Sequence, residues 1–361
     1  ETEVVVRLTE AEQSFTFEGI AERAVPSLLR GFSAPVVASS DLSKADRLFL
    51  VAHDSDDFNR WEALQGLSRE LMLALLARRE AGEELTMDEE MTEAIRAAML
   101  DSTVDFAFKC CVLSMPGEGE ISELVSPADP AAIHEVREFV VVSLAKALEP
   151  ELRTTFAACA PDPSLTYSPD PVSRARRSLR NTCLAMLAKL KTEEVTGVCV
   201  SAHVDATNMT DSFASLSALA GIPGPERDAR LAAFYDKWAH DPLVVNKWLS
   251  LQAASNVEGN LANVRALMDH PAFDISNPNK VYSLIGGFCS SSVNFHAADG
   301  SGYEFLADTV LQLDKLNAQV ASRMVSVFTR WRKYDAGRSE AMRAQLERIM
   351  ATKPLSPNTY E

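Results

Sequence analysis

Apolar positions recur at three- and four-residue steps over most of the chain. In DDFNRWEALQGLSRELMLALLARREAG, Phe58, Trp61, Leu64, Leu67, Leu71 and Leu75 fall on one face of a helix, and Gly82 marks its stop. SDLSKADRLFLVAHD opens with Ser40 and Asp41 as capping residues ahead of Leu48, Leu50 and Val51. TMDEEMTEAIRAAMLD has Thr86 as a cap and acids in its first turn, where the positive end of the helix dipole favours them. Further segments from DPAAIHEVREFVVVSLAKAL to SEAMRAQLERIMA carry the same period, and most breaks between them hold Pro, Gly, Asp or Asn. A long succession of short helices without intervening strands predicts stacked helix pairs, a HEAT- or armadillo-like α-solenoid. A compact bundle is the runner-up.

The beginning of the chain follows a different period. TEVVVRLTE is rich in β-branched Val4, Val5 and Val6, and QSFTFEGI alternates Phe15 and Phe17 with polar neighbours. AEQ between them suits a hairpin turn. GFSAPVVAS, from Gly31 to Ser39, reads as a third strand whose Pro35 favours an edge or a start. Three such strands cannot bury themselves alone. They read as the closing strands of a sheet whose other strands lie upstream, so the chain reads as a piece of a longer protein. The expected organisation is mainly α: residues 1–39 closing a β-sandwich, then residues 40–361 as the solenoid.

Composition narrows the function classes. The 361 residues are 47% hydrophobic, ample for a core, and carry a formal charge of −16. Nucleic acid or anionic lipid would need a basic face, so neither is an expected partner. The nearest thing to one is SRARRSLR, Ser173 to Arg180, read as a solvated helix face with a partner contact as the alternative. The longest apolar run, FVVVSLAKAL, is interrupted by Ser and Lys and is too short to span a bilayer. Cys110, Cys111, Cys159, Cys183, Cys199 and Cys289 lack paired spacing and read as reduced core thiols of an intracellular, cytoplasmic protein. The chain does not begin with Met, so the lack of a visible signal peptide carries little weight.

A search for chemistry finds no self-sufficient centre. A helical zinc motif needs two histidines one turn apart beside a carboxylate, and His134-Glu135 opens one, but position 138 is Glu. That pair reads as ordinary helix surface, and His53, His203, His240, His270 and His296 stand alone. The Gly300–Gly302 GSG lacks the lysine of a phosphate loop and a preceding strand, which leaves a turn and helix entry. The NMT at Asn208 reads as a helix cap, and Trp61, Trp238, Trp248 and Trp331 as core anchors. The densest stretch is SNPNKVYSLIGGFCSSSVNFHAADGSGYEF, Ser276 to Phe305, with a helix stop and start, a Gly-Gly pair and a Gly-rich turn.

Several phrases in order resemble one family. AVPSLLRGFSAPV, HDSDDFNRWEALQ, SLRNTCLAML, NMTDSFASLSAL, YDKWAHDPLVVNKWLSLQA, FDISNPNKVYSLIGGF, FHAADGSGYEFLAD, LNAQVASRMV and RWRKYDAGRSEAMRAQLERI follow the spacing of the C-terminal part of bacterial-type aminopeptidase N. That family consists of gluzincin zinc metallo-aminopeptidases, and the resemblance spans the whole chain. It implies a parent enzyme with a catalytic domain, a small β-sandwich and a large helical C-terminal domain. The family's H-E-x-x-H zinc motif and G-A-M-E-N amine motif are absent from this sequence. The resemblance therefore implies a piece with no catalytic or metal-binding residue of its own, inactive alone, whose zinc sits in the absent catalytic domain. Its implied partners are a peptide substrate and that catalytic domain, and its implied role is to close the cavity around the zinc. Gly286, Gly287, Gly300 and Gly302 would permit close packing and tight turns there. From the match to N-x-Q-V-A-S-R, Gln319 is implied as a wall residue near the pocket for the substrate's first side chain, and Arg323 as its companion one turn on. The rival reading is a non-enzymatic α-solenoid that binds a protein partner on its concave face.

Overall fold

The computed structural model describes residues 3–36, 38–162, 164 and 166–361. Eighteen α-helices run through the described residues from Lys44–His53 to Pro357–Tyr360. Many begin with one local device, an acceptor side chain followed by proline. Asp129 caps Pro130–Ala147, Asp170 caps Pro171–Ala188, Asp241 caps Pro242–Ala253 and Asn277 caps Pro278–Val281. In each, the side chain accepts an orphan amide of the first turn, and the proline occupies a position whose missing N–H costs nothing. Asn208 does the same without proline, accepting from Asp211 N, as its reading as a cap requires.

Two caps differ from expectation. Lys44–His53 is capped by Ser43, which exchanges bonds with Asp46 in a capping box, rather than by Ser40 or Asp41. Glu89–Leu100 is capped by Asp88, not Thr86. Both follow from reach, because the capping oxygen must meet an amide about three residues on. Five helices escape the periodicity: Phe106–Val112, Glu118–Leu124, Glu149–Ala158, the short Pro357–Tyr360 and Glu193–Val204. The last has valines and a glycine, poor helix formers alone, and its neighbour Met209–Ala220 packs against it.

The β-type runs form no ladder. No strand is present among the described residues of 3–39, and the isolated bridge joins Ala128 to Tyr334. Val4, Val5, Leu8, Phe17 and Ile20 are exposed. A strand needs a partner for its amides and a face to bury, and nothing described pairs with these runs. The expected Gly31–Ser39 strand includes Val37, which lies outside the described residues, and begins instead with a 3-10 turn at Arg30–Phe32.

The chain divides into two compact units, Glu1–Leu64 and Gln65–Glu361. The first takes in the helix Lys44–His53 because side chains tie it to the N-terminal segment. Arg30 pairs with Asp54 at 2.7 Å, Arg23 with Asp46 at 2.8 Å, and Asn59 donates to Ser27 and Leu28.

In the second unit, successive helices pack in pairs: Glu149–Ala158 on Pro171–Ala188, Glu193–Val204 on Met209–Ala220, and Ser301–Asp314 on Ala318–Val325. This is the neighbour-to-neighbour order of an α-solenoid. An aromatic-rich core lies late in the unit, where Phe234, Phe288, Phe295, Tyr303, Phe305 and Phe328 are buried. Each such side chain contributes roughly 2–3 kcal/mol by leaving water. None of the described helices is long and apolar enough to cross a membrane.

One set of contacts departs from neighbour-only order. Ala128 N donates to Lys333 O at 2.9 Å, and Asp335 N donates to Ala128 O at 3.0 Å. Glu123 pairs with Lys333 and Arg330, and Asp129 with Arg338, the last two residues lying 209 positions apart. These bonds clasp the segment around Glu118–Pro130 to the segment that follows Ala318–Val325.

Candidate functional site

The stretch from Ser276 to Phe305 is built around two close approaches, one that excludes any side chain and one that is tight for one. A Cβ on Gly302 would lie 2.4 Å from Phe295 O and 2.7 Å from Asn294 O. A Cβ on Gly287 would lie 3.2 Å from Ala253 Cβ and 3.3 Å from Ser250 Cα. The first lets the helix Ser301–Asp314 start against the preceding turn, and the second seats the 278–289 segment on the helix Pro242–Ala253. Gly286 has nothing within 4 Å of its Cβ position, so its expected packing role is absent. Below these contacts, Phe288, Phe295, Phe305 and Tyr303 pack edge to face, with centroids 5.2–6.0 Å apart.

The helix that starts at Pro278 widens into one π-helical turn at Tyr282–Gly286. Such turns displace side chains from regular helical register. Here Tyr282 meets Arg323: the guanidinium lies 5.3 Å from the ring centroid, and Nη1 is 3.4 Å from the hydroxyl. Ser250 Oγ donates to Ser283 O at 3.0 Å and ties the turn to the neighbouring helix.

Gln319 and Arg323 sit on the helix Ala318–Val325, capped by Asn317. Four residues apart, they share a face. Both are exposed, and the residues between and around them that point inward, Val320, Ala321 and Met324, are buried. Gln319 has no hydrogen-bond partner among the described residues, whereas Arg323 is held over Tyr282. The face thus presents a free amide beside an oriented cation. Nothing in the sequence pattern marked Tyr282 as the residue that orients it.

His296, the lone histidine of this stretch, is half-buried at the edge of the aromatic core. It is hydrogen-bonded through Nδ1 to the Tyr303 hydroxyl at 2.8 Å and packed against Phe295 and Tyr334. Burial, with the Arg338 guanidinium adding to it, pushes its pKa down to about 4, so the ring is neutral near pH 7. Arg338 Nε donates to His296 O at 2.8 Å and so connects this packing to the clasp.

His134 departs from its reading as plain helix surface. It is half-buried and lies 2.8 Å from Glu118, whose other oxygen accepts from Ser292. Burial raises the Glu118 pKa, but bonds from His134 and Ser292 outweigh it and hold the carboxyl below its usual value. Serine, histidine and carboxylate meet here in the wrong order for nucleophilic catalysis. The hydroxyl is bonded to the carboxylate, leaving no base on the serine. The junction joins the Glu118–Leu124 helix to the 290–295 turn. Glu135, by contrast, is exposed and pairs with Arg79 at 2.5 Å.

The remaining histidines are partnered by aromatic rings or backbone. His203 lies 2.9 Å from Ser212 O, His270 packs between Tyr235 and Trp248, His240 stacks on Trp238 and His53 tilts against Phe49. No three His, Cys, Asp or Glu side chains among the described residues come together as metal ligands. Trp248 is the buried tryptophan anchor, donating to Leu231 O at 2.9 Å. All six cysteines are free, but Cys111 is exposed rather than a core thiol, because its neighbour Cys110 takes the inward side of their helix.

The model of a family described as "Domain of unknown function (DUF3458_C) ARM repeats" matches residues 44–361. The chain belongs to this DUF3458_C family. A second model, DUF3458, described as an Ig-like fold, matches residues 1–41. Aminopeptidase N of Escherichia coli strain K12 is 39% identical over 358 residues, covering 99% of this chain and 41% of that protein. Aminopeptidase N of Caulobacter vibrioides is 36% identical over 364 residues, again across 41% of its length. A crystal structure of Legionella pneumophila aminopeptidase A in complex with aspartic acid superposes with a TM-score of 0.83 at 30% identity, covering 96% of this chain and 41% of that one. This DUF3458_C chain therefore spans about two fifths of the relatives it matches. The ARM-repeat description and the paired packing agree on an α-solenoid.

Proposed function

We propose that this chain is the C-terminal part of a zinc-dependent aminopeptidase that removes single N-terminal amino acids from peptides. In this reading its residues 1–39 close a small β-sandwich and residues 40–361 cap the active-site cavity, limiting entry to short or unfolded peptides. The observation that carries it is near-complete coverage of this chain by aminopeptidase N relatives of which it spans 41%. In this reading the zinc belongs to a catalytic domain of the same polypeptide, as the likeness to aminopeptidase N relatives more than twice this chain's length suggests. A peptide substrate is the second partner, and the cytoplasm the setting. The chain supplies enclosure and side-chain contacts, not bond breaking.

Gln319 and Arg323 are the proposed cavity-wall residues. An exposed, unpartnered amide beside a guanidinium fixed over Tyr282 is suited to contacting a substrate side chain. The test uses the longer polypeptide and this chain side by side. With added zinc, the longer protein is expected to hydrolyse aminoacyl chromogenic substrates and this chain is not. Replacing Gln319 with Ala in the longer protein shifts preference among first residues while its zinc content stays constant. Turnover by this chain, or an unchanged preference across the panel, refutes the respective assignment. The ARM-repeat description also suits a non-enzymatic scaffold. A longer protein that binds no zinc and cleaves nothing would favour that reading.

A further inference from the structure

On the helix Pro171–Ala188, four arginines, Arg174, Arg176, Arg177 and Arg180, fall within two turns. Three of them lie over aromatic rings on neighbouring segments. The Arg176 guanidinium is 5.9 Å from the Phe106 centroid, Arg177 is 4.7 Å from Tyr167, and Arg180 is 4.4 Å from Phe156. Arg177 Nη2 also donates to Ser168 O at 2.9 Å. The rings hang from three separate places: the helix Phe106–Val112, the helix Glu149–Ala158 and the segment before Asp170. The guanidiniums are therefore held in position by three elements, rather than trailing into solvent.

None of the four makes an ion pair among the described residues, although the chain carries 51 acidic side chains against 35 basic ones. Elsewhere arginine finds acid readily: Arg79, Arg96, Arg153, Arg338 and Arg348 all do. The Arg180 Nε is buried without a partner. Asp162 feels the Arg176 charge, but its carboxylate is turned to the amide and hydroxyl of Ser164 rather than paired with the guanidinium. Lys109, one turn beyond Phe106, adds positive charge nearby, since its charge acts with those of Arg176 and Arg180 on the Cys159 thiol. No acidic side chain among the described residues forms an ion pair with this face.

We propose that this arginine face docks an acidic, Asp/Glu-rich segment of a partner polypeptide. A ring beneath a guanidinium fixes its plane, and the Arg176 guanidinium and the Arg180 Nη groups have no acceptor among the described residues, which leaves N–H donors for a carboxylate. Arg176, Arg177 and Arg180 share one side of the helix and rise roughly 6 Å along it, with Arg174 off that side. An extended chain presents like-facing side chains about every 7 Å, so a segment of some four to six residues can engage the stripe. Nucleic acid fits the molecule less well. The formal charge of −16 repels a long polyanion, whereas a short acidic segment meets only the local field.

The test is fluorescence anisotropy with a fluorescein-labelled hexaglutamate peptide at low ionic strength, using this chain. Binding is expected, weakening steeply as salt is added. The double substitution R176Q/R180Q should lower affinity at least about tenfold, the scale of a lost charge-assisted contact. R176K/R180K should fall between, because it keeps the charge and loses the fork. R153Q should leave affinity unchanged, since Arg153 is already paired with Glu149 and Glu194. Thermal melting of each variant separates lost binding from lost folding. Absence of hexaglutamate binding, equal binding by R176Q/R180Q, or tighter binding of a labelled oligothymidylate than of hexaglutamate would each overturn the proposal.

Discussion

Replacing Gly302 with alanine sets two physical effects against each other. Gly302 is the second residue of the helix Ser301–Asp314, where alanine alone would be favoured by up to about 1 kcal/mol. The added Cβ, however, would stand 2.4 Å from Phe295 O, 2.7 Å from Asn294 O and 2.8 Å from Phe295 Cα, all backbone atoms. The opposing turn has little room to retreat. Asn294 Nδ2 donates to Ser255 O and Val257 O, each at 3.0 Å, and its Oδ1 accepts from Asn260 N at 3.0 Å. Backing away would cost roughly 1–3 kcal/mol of overpacking strain and about 1 kcal/mol for a weakened buried hydrogen bond. The net expectation is a loss of about 2 kcal/mol. Gly286 is the internal control: its Cβ position is open and its backbone helical, so G286A should gain roughly 0.5–1 kcal/mol. Urea unfolding followed by circular dichroism reads both as opposite shifts of the midpoint. A G302A midpoint at or above that of the parent would show that the turn yields freely, and the packing account would fail.

The pH dependence of stability should carry a His296 component. Its folded pKa of about 4 lies below the ordinary 6.5, so the unfolded chain binds the proton first as pH falls. Stability is intact above pH 6.5 and declines towards pH 4, by about 3 kcal/mol from this group. Arg338, Asp335, Tyr303 and Tyr334 surround it, so an H296F chain should lose part of the slope in urea midpoints between those values. In the clasp, R338A should cost about 2 kcal/mol, because its side chain is 11% exposed and serves Asp129, Asp335 and the His296 carbonyl. R330A, 60% exposed, should cost less than about 1 kcal/mol. Equal costs would mean that burial does not decide these pairs.

The sequence reveals what is settled within a few residues. The Asp-Pro and Asn-Pro starts at Asp129, Asp170, Asp241 and Asn277 are legible because cap, proline and first-turn amides are consecutive in the chain. Ser43 and Asp88 were displaced by two or three residues from the expected caps, since several acceptors stood near each start and only geometry selects among them. Glu193–Val204 is helical through its packing against Met209–Ala220, a force its own composition does not display. The β-type runs show the converse: their composition suits strands, but a strand exists only with a partner. At the candidate site, the shared face of Gln319 and Arg323 followed from spacing alone. Tyr282 did not, because a π-helical turn moves a side chain off the regular register. The clasp was invisible for a different reason, since it joins residues as far as 209 positions apart.

The clasp changes what the solenoid can do for the face it carries. In a stack that touches only neighbours, a helix near the end is held by the next repeat and little else. The helix Ala318–Val325 runs directly into the turn Ser326–Lys333. The end of that turn is bonded to the Ala128 backbone on both sides, through Lys333 O and Asp335 N. Backbone bonds are insensitive to salt in a way that the exposed Glu123 pairs are not. The position of Gln319 and Arg323 therefore depends on a segment some two hundred residues earlier as well as on their own repeat. The proposed wall residues can discriminate between side chains only if they hold their place to within a fraction of an ångström. The long-range backbone bridge, rather than the surface charges around it, is the feature suited to provide that.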